Sequence, residues 1–164
     1  MKKAGGKKKQ GKEEGVMTIK EVGEKLVSSL KKWQRIEEEA VTSTGEVIAE
    51  TKNPLQRAIF EIIQRDAQNH ARVQEFLIQG HEKEGFRLTV EQLEELSRVI
   101  TRHVQVEKRM LEAAKEVLSL IAGKKMILHE YFLQYLRQDE EKHMDMLKGL
   151  ESLKKNIHPY GPSA

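Results

Sequence analysis

The chain has 164 residues, of which 34% are charged and 5% aromatic, with three prolines and no cysteine. That length favours one domain, the balance suits an all-helical protein, and the missing thiols exclude disulfides, thiolate zinc sites and iron–sulfur clusters. The net charge of +3 is uneven: residues 1–15 carry six lysines against two glutamates, a net +4, which leaves the rest of the chain at −1.

Residues 1–16 hold too few apolar side chains to order themselves and are expected to form a disordered Lys/Gly-rich tail. Such a tail is a weak pointer to nucleic-acid contact, and a solvated extension is the simpler expectation. No apolar h-region follows the lysines, so no secretory signal is expected. No run approaches the roughly 18 apolar residues of a membrane span. A cytoplasmic protein without a membrane partner is the expectation.

The first helix is expected over about Thr18–Thr51, with Leu26, Leu30, Trp33, Glu37, Ala40, Thr44 and Val47 on one stripe. Asn53-Pro54 ends it, and the proline suits the opening turn of a second helix over about Leu55–Gln79. The stripe of that helix is Ile59, Ile62, Asp66, His70, Val73 and Leu77. Gly80 and Gly85 punctuate a connection ending at Thr89, an N-cap with Gln92 three residues on. A third helix follows over about Val90–Ala122, with Leu93, Leu96, Ile100, His103, Glu107, Met110, Ala114, Val117 and Ile121 inward. Gly123 marks a reversal, and a fourth helix spans about Lys125–Lys155 with Phe132, Leu136, Asp139, Glu140, His143, Leu147 and Leu150 inward. Residues 156–164 are expected to be an irregular tail, so residues 17–155 make up the folded part.

Ionisable residues lie on stripes that should be apolar. Burying a charge costs several kcal/mol unless it is paired or bound to metal. The chain also repeats itself: IIQRDAQNHARVQEFL matches YLRQDEEKHMDMLKGL at a shift of 73, aligning Asp66 with Asp139 and His70 with His143. IEEEAVTSTGEVI matches VEKRMLEAAKEVL at a shift of 70, aligning Glu37 with Glu107. Two related helical hairpins are therefore expected, each with a Glu on its first helix and a His on its second, the way bundle-core metal sites are built. Glu37 lies 16 residues before Asn53 and His70 lies 17 after it, which sets them level in an antiparallel hairpin. Glu107 lies 16 residues before Gly123 but His143 lies 20 after it, a mismatch of about 6 Å at 1.5 Å per residue.

Glu37, then His70, then Glu107, then Glu140-x-x-His143 (EEKH), with EEEA and VEKRMLEAA around the two glutamates, resembles the ferritin-like superfamily. The likeness is to its rubrerythrin-type four-helix metal bundles and covers about residues 18–152. It implies an all-α ferritin-like four-helix bundle, and a metal set of Glu37, His70, Glu107, Glu140 and His143. It also implies iron, manganese or zinc at one or two ions per chain. Carboxylates supply hard oxygen ligands and imidazole suits these ions, while Glu and His three residues apart share a helix face. The departure is at Ala67, where the family pattern has the glutamate three residues before the second helix's histidine. Asp66 and His103 are additional candidates, as ligands or as partners of ligands.

The resemblance implies iron handling or reaction with oxygen or peroxide, and does not choose among them; whether the chain is an enzyme stays open. The alternative is a metal-free helical bundle, structural or interacting, whose buried polar layer fixes helix register. Self-association into a homo-oligomer is compatible with either. Asp139 is expected to be a hydrogen-bonding or helix-pairing residue rather than a ligand. His81, His129 and His158 are expected to be ordinary exposed histidines, and Trp33, Tyr131 and Tyr135 to be packing residues. The connection over residues 80–90 is long enough for a crossover along a bundle or for a simple return.

Overall fold

The computed structural model describes residues 17–82 and 88–156. They form four α-helices and, among the described residues, no strand: α1 (Ile19–Glu50), α2 (Pro54–Glu82), α3 (Val90–Ile121) and α4 (Ile127–Asn156). α1 packs on α2, and α3 on α4, giving two antiparallel hairpins that are each a compact unit. The all-α class, the four helices and the two hairpins are as the sequence leads one to expect. The tail over residues 1–16, residues 157–164 with His158, and residues 83–87 of the weighed connection lie outside the described residues.

Local chemistry sets the helix ends. Thr18 and Thr89 each accept from the backbone N–H three residues on, while Glu21 and Gln92 reach back to the cap N–H, so α1 and α3 open on complete capping boxes. Asn53 Oδ1 accepts from the backbone of Leu55 (3.0 Å) and Gln56 (3.3 Å), satisfying two free donors at the start of α2, where Pro54 needs none. Gly80 does not stop α2, which runs on to Glu82. Gly123, with φ of 71°, carries the tight α3–α4 turn.

Within each hairpin the sheltered positions follow a heptad. On α1, Gly23, Leu30, Glu37 and Thr44 are buried at seven-residue steps, with Val27, Gln34, Val41 and Ile48 half-buried between them. On α2 the series is Phe60, Gln64, Ala67, Ala71, Gln74 and Ile78. On α3 it includes Ile100, Val104, Glu107 and Leu111, and on α4 Leu133, Arg137, Glu140, Met144 and Leu147. Alternating steps of three and four between two antiparallel helices make a coiled-coil seam. Polar side chains brace it: Gln34 donates to the Ala71 carbonyl (3.3 Å) and Gln64 to the Val41 carbonyl (3.0 Å). In the second hairpin Lys154 donates to Ser97 Oγ (2.7 Å).

The seam corrects the inward stripes expected from the sequence. Leu30, Glu37, Thr44, Ile100 and Glu107 are buried as expected. Trp33, placed in the core by spacing, is 55% exposed, and Leu26, Val73, Leu77, Met110, Val117, Leu136 and Tyr131 are also exposed. Each of these helices carries an apolar arc wider than its hairpin seam. The partner helix covers one edge of that arc, and the residue just before the covered position stays open.

Candidate metal centre

Glu107 sits at a seam position near the middle of α3, its side chain only 5% exposed. From α4 come Glu140, also on the seam, and His143, three residues on and at the seam's edge. His143 Nδ1 lies 3.4 Å from Glu140 Oε2 and 3.5 Å from Glu107 Oε2. One donor atom from each of the three residues falls within 4.8 Å of the others, an arrangement that could hold a metal ion. The second hairpin brings Glu107 and His143 together in spite of the uneven count about Gly123. The turn takes up residues 122–126, so the fold's midpoint lies beyond the glycine.

The group is electrostatically crowded. Glu107 Oε2 is buried and has no hydrogen-bond partner among the described residues. Burial pushes the Glu140 carboxyl above the usual carboxylate range, and the neighbouring Glu107 adds to the shift while His143 opposes it. Two carboxylates crowded away from water repel unless a proton or a metal ion sits between them. His143 can ligate through Nδ1 only if its proton is on Nε2. There Asp139 Oδ2 lies 3.7 Å away, and Asp139 also pairs with Lys142. Asp139 thus has the pairing role expected of it. His103, one turn before Glu107, places Nε2 3.0 Å from Glu107 Oε1, the oxygen that faces away from His143.

The first hairpin carries the matching but poorer pair. His70 Nδ1 lies 3.4 Å from Glu37 Oε1, at the level the residue count predicts. The His70 side chain is 61% exposed. Asp66 is half-buried and makes no hydrogen bond or ion pair among the described residues. Ala67 occupies the buried seam position that Glu140 fills in the second hairpin. The structure thus brings Glu107, Glu140 and His143 together, adds His103 at their edge, and separately pairs Glu37 with His70.

Two features escape sequence reasoning. His81 is exposed, as expected, but its ring lies against Gly23, so close that a Cβ there would overlap it. Gln74 is buried on the α2 seam with neither side-chain polar atom partnered among the described residues. A glycine inside a helix was the available signal for the first; nothing in periodicity marks the second.

Comparison with protein-family models, with curated proteins and with solved structures finds no match to this chain. Among the described residues, no helix is long and apolar enough to cross a membrane.

Proposed function

We propose that the protein is a ferritin-like metal-binding protein whose ligands are carboxylates and histidines, centred on Glu107, Glu140 and His143, with Glu37 and His70 as the corresponding pair of the first hairpin. The observation that carries this reading is the buried Glu107 Oε2, without a hydrogen-bond partner among the described residues, beside Glu140 and His143. Two carboxylates held together away from water cost several kcal/mol unless compensated, and a divalent ion would remove that cost for both at once. The donor set, hard oxygen plus imidazole nitrogen without sulfur, suits iron, manganese or zinc. Bound iron would supply redox chemistry toward oxygen or peroxide, the activity class that the family resemblance implies. Glu107 and Glu140 would hold the ion, and Asp139 would keep the His143 proton on Nε2.

The second reading is a metal-free polar layer that fixes the register of the helices. The ion-pair distances between His103 and Glu107 and between Glu37 and His70 favour it. Loading the chelator-stripped protein with iron, manganese or zinc, followed by elemental analysis, separates the two. The metal reading expects one to two ions per chain with at least one of these metals. No retained ion with any of the three supports the polar layer.

A further inference from the structure

Resting on the metal reading, we infer that the second hairpin alone holds one divalent transition-metal ion, through Glu107 Oε2, Glu140 Oε2 and His143 Nδ1, with His103 as the residue that positions Glu107. The first hairpin then contributes no ligand to this ion.

The repeat within the chain makes the comparison internal. Glu37 corresponds to Glu107, Asp66 to Asp139 and His70 to His143. Among the residues around the proposed site two positions differ, and both bear on metal binding. Ala67 stands where Glu140 stands, which removes a seam carboxylate from the first hairpin. Four residues before the glutamate, Trp33 stands where His103 stands. The second hairpin therefore has three donors and a clamp where the first has two donors and an exposed indole.

The geometry gives His103 its role. A free carboxylate can rotate and present either oxygen. His103 Nε2 lies 3.0 Å from Oε1, an ion-pair distance, and when it carries a proton it would hold that oxygen and with it the plane of the Glu107 carboxylate. Oε2 is then left aimed at Glu140 and His143, buried and without a hydrogen bond of its own. Residues that orient a ligand in this way typically account for about 10–100-fold in metal affinity.

The test is titration of the full-length, chelator-stripped chain with Co²⁺ and with Zn²⁺. Co²⁺ absorption in the visible range reports the ligand field, and helical circular dichroism checks that each variant folds. The wild type should bind one tight ion. Glu37→Gln/His70→Gln should bind it with affinity within about threefold, because the three ligands of this ion all lie on α3 and α4. Glu140→Gln and His143→Gln should each lose affinity by at least about 100-fold. His103→Phe should lose about tenfold and shift the Co²⁺ spectrum, and His103→Gln, which keeps an N–H donor, should recover most of the loss. A tight ion that disappears in Glu37→Gln/His70→Gln overturns the one-hairpin assignment while leaving the metal reading intact. A His103→Phe protein with unchanged affinity and spectrum overturns the clamp. A wild-type chain that takes up neither ion contradicts the metal reading itself.

Discussion

At the scale of single residues, the second hairpin concentrates its electrostatic strain on Glu140. Its carboxyl titrates above the range expected in the unfolded chain, so the folded state holds its proton more tightly. By linkage, the metal-free protein loses stability as pH rises through the folded value, and below the unfolded value the penalty vanishes. Glu140→Gln cannot ionise and keeps the side-chain shape. Chemical denaturation without metal should show the wild type falling behind Glu140→Gln as pH rises from the ordinary glutamate range toward neutrality. A constant gap across that interval would contradict the shift. Gln74 gives a second prediction of this kind. Its amide is 3% exposed with no partner among the described residues. Removing an unsatisfied buried group for an apolar one of similar size should stabilise. Gln74→Leu should therefore melt higher by roughly 2–4 °C, equivalent to about 1 kcal/mol.

At the scale of elements, the seam explains how much of the fold is legible in the sequence. Helix existence is legible throughout: the ends at Thr18, Asn53-Pro54 and Thr89 are written in capping residues and proline, whose chemistry is local. The Glu37–His70 level is legible because helical rise is constant. Which edge of each helix the partner covers is not. A stripe such as Leu26, Trp33 and Ala40 and the seam that includes Val27, Gln34 and Val41 share Leu30, Glu37 and Thr44. They differ by one residue, and periodicity finds the centre of an apolar arc rather than its covered half. The same ambiguity placed Ala67 at a vacant ligand position without showing that it is a seam residue, 4% exposed. Ala67→Glu would place a carboxylate beside Glu37 as Glu140 stands beside Glu107. Without metal it should destabilise the protein by on the order of 2 kcal/mol, from burying a second like charge. With Mn²⁺ or Zn²⁺ in excess, part of that loss should be recovered. Thermal melts of both proteins with and without ion check this, and a loss that no ion relieves would argue that the first hairpin cannot be completed.

At the scale of the whole molecule, the two hairpins are unequal copies of one plan. Both set a buried glutamate on the first helix and a histidine on the second. Only the second adds a carboxylate on the seam and a histidine beside its glutamate. The Glu/His spacing makes the pairing of these residue types legible from the chain, but the difference between the hairpins is not, because it depends on burial: Glu107 is sealed while His70 is open. If the proposed site holds an ion, the ion stabilises the protein, since an ion bound only by the native state shifts the folding equilibrium. The most direct measurement is therefore the melting temperature of the chelator-stripped chain with and without saturating Mn²⁺, Zn²⁺ or Fe²⁺, for wild type and for His143→Ala. At about a hundredfold excess over Kd the gain is about 2.7 kcal/mol, roughly 5–10 °C for a chain of this size. The wild type should show that rise with at least one ion and His143→Ala should lose most of it, whereas a wild type whose melting temperature none of the three ions raises would contradict the account.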